Sequence, residues 1–555
     1  MIVMPEKKPQ GFPVDDLTQP YVQRLDTMRT ARSNWDAQWE EAAERLLPAH
    51  VDTFSSRGNS ATTGSGGQKK TEKQFDSTAA FAAQRFSSVM ESLVTPQGSL
   101  WHMLKILDKT LKRSRAVRLF FDELNETLYN YRYRPVANFV GNSQQVYLGL
   151  GVYGNGVLYI DQPDKTKGLR YRNIHLAEAY FAENHAGVVD TLYRAFFLTA
   201  RQIVQRFGDG APEAIKEKVK DPKRIDEKSE VLHCVHPRDD FDPQRVDGKG
   251  KAFASIYIDI ESKTVMREGG YDTFPYAVAR YTQASNEVYG RGPAQWVLPA
   301  IKVLNEQKKT LLKQGHRIVD PVLLAHDDGN LGSFSLKAGA LNAGGVSKDG
   351  KALVHALPTG NIAAGEKMME FEKAVINDAF LVTLFQILLD TPQMTATEVL
   401  ERAKEKGMLL APTAGRLQAE FLGPMIEREI HLLASQGLLP PMPQILIDAS
   451  AEYRIEYDNP LSRMARAEKA SGFMRALDAA ANYSKMTGDP APLDHFDFDV
   501  AVPAILDIQG APVAWTRSIE DVLARREQRA KDQQAQQMIE AAPALAGVAK
   551  MAPKG

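Results

Sequence analysis

Residues 290–315 read GRGPAQWVLPAIKVLNEQKKTLLKQG, and residues 365–390 read GEKMMEFEKAVINDAFLVTLFQILLD. The first stretch opens on Gly290-Arg291-Gly292-Pro293, with the proline in the first helical turn, where its missing N–H costs nothing. Trp296, Ile301, Leu304, Lys308 and Leu311 then follow at helical spacing to Gly315, with an early kink expected at Pro299. At a rise of about 1.5 Å per residue the two stretches predict helices of roughly 35 and 39 Å. Between them, Val319 to Thr359 is rich in glycine and β-forming residues. Two helices of matched length around such an insertion predict an antiparallel two-helix stalk carrying a small β module, because the chain leaves and returns by neighbouring paths.

Upstream, Tyr21, Leu25, Met28, Trp35, Trp39, Ala42 and Leu46 recur at alternating four- and three-residue steps, broken only at Arg32, and predict an amphipathic helix ending at Pro48. Ser55 to Lys70 has no periodicity and is read as a loop. A second helix carries Phe75, Ala79, Ala82, Phe86, Met90 and Leu93 and stops at Thr95-Pro96, and a third carries Val117, Phe121, Leu124, Leu128 and Tyr131. From Gly156 to Thr282 the runs GVLYID, LRYRNIH, VVDTLYRAFF, VLHCVH, FASIYIDI and YAVARYT predict strands, with one helix near Thr199 to Phe207. Beyond the stalk, a helix is expected from Ala396 to about Ser435, flexed near Gly407, Pro412 and Gly423. Another is expected over Ser518 to Ala541, before a tail.

Composition narrows the function. At about 150 residues per domain, the 555-residue chain holds three to four domains. The lone Cys234 excludes an intrachain disulfide, a CxxC redox pair and a four-cysteine zinc site. Lys plus Arg number 68 against 69 Asp plus Glu, a formal net charge of −1, so no global basic field draws the chain onto nucleic acid. Met1 to Pro13 lacks the apolar core of a signal peptide, and the most apolar run, Ala379 to Leu389, falls well short of the ~20 residues of a membrane span.

Possible chemistry resolves into structure. Gly345 to Ala352 approaches a P-loop, but Ala352 stands where Ser or Thr would ligand magnesium, and a strand-like run follows where a helix is required; it is read as a hairpin turn. Gly149 to Gly156 resembles a dinucleotide fingerprint in the wrong order, helix before strand, and is read as a tight reversal. His233 and Cys234 fall on opposite faces of a strand, which separates them as metal ligands; Asp494, Asp497 and Asp499 are read as solvated or helix-capping acids. No GxSxG, HExxH or triad spacing is present, so neither catalysis nor a cofactor is expected. Lys302, Lys308, Lys309, Lys313 and Arg317 make a basic stripe on the first stalk helix, read as a solvated face or as a surface for phosphates.

In order and spacing, several landmarks resemble the portal, or head-to-tail connector, proteins of podovirus-type short-tailed bacteriophages. They are the Trp35/Trp39 helix, Phe75-Asp76-Ser77-Thr78 leading to Leu93-Val94-Thr95-Pro96 and Trp101, Gly151 to Gly156, Tyr289 to Pro293, Asp320-Pro321, Met394 to Val399, and Asn459-Pro460-Leu461. The resemblance covers nearly the whole chain and implies an α+β, predominantly helical portal fold. It places a wing at 1–289 (helical 15–150, α+β 151–289), stem helices at 290–317 and 361–390, and a β-rich clip at 318–360. A channel loop follows at 391–396, a C-terminal part of the wing at 397–515, and a crown helix and tail at 516–555. It implies a non-enzymatic ring of about twelve subunits at one capsid vertex of the virion, assembled in the host cytoplasm, through which double-stranded DNA is packaged, retained and ejected. The implied partners are the terminase large subunit, a tail adaptor, the major capsid and scaffolding proteins and internal core proteins, without a membrane.

Within that frame Thr391, Pro392, Gln393, Met394 and Thr395 are expected to project into the lumen. The five basic residues of the first stem helix are channel-facing candidates. His326, Asp327, Asp328, Lys337, Lys348, Asp349 and Lys351 are candidates for a polar rim that meets the motor first and the adaptor later. Near-neutral charge suits a conduit, since each neutralised phosphate tightens binding and a tightly bound duplex does not slide. Two rivals stand beside this reading. A terminase-like packaging enzyme would need the Walker motif that Ala352 spoils, and an internal virion or scaffold protein would lack the stalk and insertion.

Overall fold

The computed structural model describes residues 14–50, 53–54, 71–108, 110–111, 114–163, 166–325, 334–358, 360–382, 412–449, 452–457, 460–489, 491–508, 517 and 521–535. In chain order the elements begin α1 (Val14–Leu46), α2 (Thr78–Val94), β1 (His102–Ile106), α3 (Arg115–Arg132), α4 (Phe139–Tyr153), β2 (Asn155–Asp161), β3 (Arg170–Ile174), β4 (Ala179–Glu183) and β5 (Val189–Thr199). They continue with α5 (Ala200–Phe207), α6 (Glu213–Lys220), β6 (Lys228–Pro237), β7 (Phe253–Asp259), β8 (Thr264–Tyr271), β9 (Tyr276–Arg280), α7 (Pro293–Val319), β10 (Leu323–Ala325), β11 (Val354–Ala356) and α8 (Ile362–Ala379). The last are α9 (Gly423–Ser435), α10 (Gln444–Ala449), β12 (Tyr453–Tyr457), α11 (Pro460–Thr487) and α12 (Phe498–Ile508). They sort into two compact units, Met1–Val94 with Arg134–Leu432, and Thr95–Tyr133 with Leu433–Gly555.

The larger unit is built on a five-stranded antiparallel sheet, β4-β5-β6-β7-β8. Alternation gives it two apolar faces. One presents Tyr180, Tyr193, Leu232, Cys234, Ile256 and Ile258 to Leu25 of α1; the other presents Phe196, Val231, Tyr257 and Met266 to Ile203 of α5 and Ile215 of α6. His233 and Cys234 part to opposite faces as their adjacency requires. His233 is buried, its Nδ1 2.7 Å from the Tyr276 hydroxyl and its Nε2 3.0 Å from Ser255 Oγ. Burial, then the guanidiniums of Arg194 and Arg206, push its pKa well below the ordinary 6.5, so it stays neutral.

Each sheet edge is obstructed at one point. The turn Gly208–Gly210 lies so close to β8 that a Cβ on Gly210 would sit 2.2 Å from the Met266 carbonyl, and Arg238 donates to the Gly269 carbonyl at 3.0 Å. At the β4 side the guanidinium of Arg32 donates to the carbonyls of Leu176 (2.9 Å), Ala177 (3.3 Å) and Ala179 (2.5 Å) and lies 3.8 Å over Tyr180. The residue that interrupts the apolar pattern of α1 is therefore a fully buried clamp, with Asp36 one turn on as its counter-charge at 3.0 Å.

A second sheet, β3-β2-β9, follows α4 through the reversal at Gly154, which takes φ +76°. The Gly149–Gly156 segment is thus a helix-to-strand turn, with no helix opening after it.

In the smaller unit β1 pairs antiparallel with β12, matching His102 to Tyr457, and Asn125 of α3 bridges both the N–H and the carbonyl of Leu104. Asp497 caps α12 through the N–H groups of Asp499 and Val500, and Asp499 pairs with Arg526 at 2.5 Å. The acidic run Asp494 to Asp499 is accordingly a capping and pairing segment in its described bonds.

Three expectations are corrected. The second stalk helix does not run unbroken to Asp390: α8 ends at Ala379, Phe380 turns inward against Phe86, and Leu381 takes φ +60°. A left-handed residue cannot continue a right-handed helix, so α8 spans about 27 Å beside about 40 Å for α7, and the two are not matched in length. The insertion is not β-rich among its described residues. Its strands are the three-residue β10 and β11 and a bridge from Val346 to Ala352, while Asn342 ties a turn by bonding both the N–H and the carbonyl of Ser335. Finally, Phe75 precedes α2 and is not on its packing face.

Candidate functional site

The stalk grows from a point where two glycine clusters of the sequence interlock. A Cβ on Gly154 would lie 2.4 Å from the Gly290 carbonyl oxygen and 2.5 Å from the Gly292 nitrogen; one on Gly292 would lie 2.6 Å from the Leu150 carbonyl. Backbone meets backbone there, which only glycine permits. Asn155 stitches the junction, donating to the carbonyls of Tyr153 (2.9 Å) and Gly290 (3.0 Å) and accepting from the Gly290 N–H (2.7 Å). Trp39 also donates to the Tyr153 carbonyl, at 3.0 Å, and Gln295 closes the first turn of α7 by accepting from the Gly292 N–H at 2.5 Å.

Beside this root sits the buried Arg280. It pairs with Glu183 and with Glu420 (2.7 Å) and donates to the carbonyls of Val288 and Gly187, each at 3.1 Å. Burial opposes its charge, but the hydrogen bonds it donates to Glu420 and Glu183 outweigh burial and hold the guanidinium firmly protonated. Glu420 is placed by a π-turn, Gln418–Leu422, just before Gly423-Pro424. Pro424 has no N–H to offer Glu420, so the helix widens where flexure was expected.

From this root α7 and α8 run antiparallel, with Gly365 against Leu311 and Gly360 near Gln314. Outward they are unusually apolar. On α8, Ala364, Met368, Phe371 and Val375 recur at four-, three- and four-residue steps, and Phe371 is 69% exposed. On α7 the outer line passes from Trp296 (53% exposed) and Val303 to Glu306, Lys313 and Arg317.

Of the five basic candidates, Lys302, Lys309, Lys313 and Arg317 recur at seven-, four- and four-residue steps along one side of α7, and two of them are engaged by other residues. Lys313 and Arg317 are exposed on that outer line; Lys302 pairs with Glu41, and Lys309 pairs with Glu306 at 3.3 Å and lies 5.5 Å from the Phe75 ring. Lys308 is half-buried and lies off that side of the helix.

In the insertion, Lys337, Lys348, Asp349 and Lys351 are exposed. Lys348 and Asp349 cap a hairpin turn closed by Gly350 at φ +75°, which makes Gly345 to Ala352 a turn and not a phosphate cradle. The same surface exposes Leu336, Val346 and Leu341, the last by 97%, so its rim is less polar than expected. His326, Asp327, Asp328 and Thr391 to Thr395 lie outside the described residues. Among the described residues no group of three His, Cys, Asp or Glu could hold a metal, and no helix is long and apolar enough to cross a membrane.

The family profile of the bacteriophage head to tail connecting protein matches residues 18–515. The portal protein of Salmonella phage epsilon15 is 26% identical over 538 residues, covering 95% of this chain and 94% of that protein. The probable portal protein of Bordetella phage BPP-1 is 26% identical over 524 residues, covering 93% and 91%. Taken with a glycine-locked root, a two-helix stalk and a turn-rich insertion, a match over nearly the whole length decides the matter: the chain belongs to the bacteriophage head to tail connecting protein family.

Proposed function

We propose that this connector is the portal subunit: about twelve copies form a ring at one capsid vertex, with α7 and α8 lining a channel for double-stranded DNA. The observation that carries the reading is the outward apolar line Met368, Phe371 and Val375 with Trp296 and Val303 on the neighbouring helix. A soluble monomer does not leave so regular a seam in water, and a second copy of the same stalk is its natural cover. Twelve helices about 10 Å apart enclose a circumference of roughly 120 Å and, less one helix width, a bore near ~28 Å, wide enough for a hydrated duplex. Native mass measurement tests it: multiples of the 61.5 kDa subunit near twelve are expected, and a stable monomer under all assembly conditions would sink the ring.

In that ring Lys313 and Arg317, exposed and without an ion pair among the described residues, are the basic residues offered to phosphates, and the uncharged sequence Thr391 to Thr395 is expected to contact the DNA. Removing Pro392 to Met394 should spare rings yet impair DNA packaging or retention; unchanged genome content in assembled heads would refute that contact. The insertion is the docking surface for the packaging motor and then the tail adaptor. Its exposed leucines now join the charged residues as anchors. Leu341→Glu combined with Lys348→Glu should leave rings intact and weaken capture of the motor in a pull-down, whereas undiminished capture would remove the insertion from that role.

A further inference from the structure

Between the two sheets of the larger unit runs a polar seam that the connector role does not use. Register fixes its two sides. In β3-β2-β9, Arg172 lies opposite Tyr159, and Tyr159 opposite Tyr276. In the five-stranded sheet, Arg194 lies opposite His233, and His233 opposite Tyr257. Residues paired across antiparallel strands point the same way, so each row lines one face. The rows meet through His233 and Tyr276, 2.7 Å apart, and His233 stacks on Tyr257 with centroids 4.0 Å apart. From α5, Arg206 closes the seam by donating to the Tyr257 hydroxyl at 2.8 Å.

Three guanidiniums from three elements face this seam, Arg172 of β3 and Arg194 of β5 by register and Arg206 of α5 through Tyr257. Only Arg194 has an acid, Glu178, which accepts from its Nε at 3.0 Å and from its outer nitrogen at 2.8 Å. Arg172 and Arg206 are exposed and make no ion pair among the described residues. Although Arg172 is exposed as a residue, packing around its partly enclosed guanidinium is the first cause that lowers its pKa, followed by the field of Arg194, with Arg206 and Arg170 adding to it and Glu178 alone opposing. Like charges gathered at the rim of a low-dielectric seam repel, and an anion would relieve them.

We propose that the mouth framed by Arg172, Arg194 and Arg206 binds a phosphate monoester or free phosphate. Arg194 faces Glu178, and Asp161 is engaged by the Tyr159 hydroxyl at 2.6 Å, so Arg172 and Arg206 are the two guanidiniums left to face a ligand; a phosphate monoester or free phosphate offers more charge and more terminal oxygens to them than a DNA phosphodiester does. Donors arriving from β3, β5 and α5 suit a tetrahedral oxyanion better than a flat carboxylate, a partner Glu178 already provides.

Calorimetric titration of the full chain with inorganic phosphate, and with AMP, at a constant ionic strength of about 0.15 M tests this. Saturable binding is expected, weakened ~10-fold by Arg172→Gln and again by Arg206→Gln, and largely kept by Arg172→Lys. Both replaced residues are exposed, and circular dichroism confirms that the variants fold before they are titrated. Free phosphate binding with no AMP binding keeps the site and assigns it to the inorganic ion; AMP binding extends it to monoesters. No heat above a chloride control, or undiminished binding by the double variant, overturns the proposal. So does a result in which phosphate has no effect but the double variant lowers the salt slope of duplex DNA binding by about 2, since the mouth would then be a DNA backbone contact. None of these outcomes depends on ring assembly, so failure here leaves the connector reading untouched.

Discussion

Gly154→Ala is expected to destabilise the larger unit by about 3–5 kcal/mol, lowering its unfolding midpoint by ~10 °C or more. Two costs add. At φ +76° an L side chain is strained by about 1–2 kcal/mol, and the new methyl would meet the Gly290 carbonyl, the Gly292 nitrogen and the Arg291 carbonyl carbon within 2.4–2.6 Å. No side chain can swing away to relieve it, since all three atoms are backbone at the start of α7. Gly187→Ala isolates the second cost: Gly187 has the same φ, +77°, with nothing within 4 Å of a Cβ, so only the conformational strain should appear. Thermal unfolding of the two variants side by side is the measurement. Equal shifts would mean that the root tolerates a methyl and that the glycine lock is not structural.

The second large effect is on assembly. Phe371→Glu together with Leu312→Glu should abolish the ring and leave a folded 61.5 kDa subunit. Phe371 is 69% and Leu312 47% exposed in the single chain, so folding should change by only about 0.5 kcal/mol for each. A carboxylate buried between neighbouring stalks costs several kcal/mol instead, and a ring repeats that penalty at every interface. Sedimentation with circular dichroism separates the outcomes: native-like helicity without rings supports the seam, rings of unchanged mass refute it, and loss of helicity would show that these positions pack within the subunit.

The stalk was legible because its signals are local. Pro293 after Gly292 marks a helix start whatever surrounds it, and Gly154 between an apolar helix and GVLYID marks a reversal. What remained hidden depends on partners distant in sequence. Nothing in HMLKI or YRIEY announces that residue 102 pairs with 457, since a strand pattern names a face and not a neighbour. β8 contains Arg267, Glu268 and two glycines, a poor strand on propensity, and it exists because β7 would otherwise offer a bare edge. Arg32 read as a flaw in an apolar stripe because a periodicity scan has no means of seeing three waiting carbonyls. The break at Phe380-Leu381 was missed for a similar reason: both residues favour helix, and the turn is imposed where Phe380 packs on Phe86. For the same reason the engagement of Lys302 and Lys309 stayed hidden, since Glu41 and Phe75 come from far earlier in the chain.

The obstructed edges of the five-stranded sheet bear on how such a subunit survives before it meets its fellows. A chain synthesised in many copies and destined to self-associate risks nucleating fibrils if any strand can recruit another. Here the Gly208–Gly210 turn sits against β8 at Met266 and Arg32 occupies the Ala179 carbonyl at the start of β4, so each lateral approach meets an obstruction in the free subunit. In the proposed ring, self-association would then fall to the stalk helices, whose contacts could close on themselves at a finite number of copies and stop.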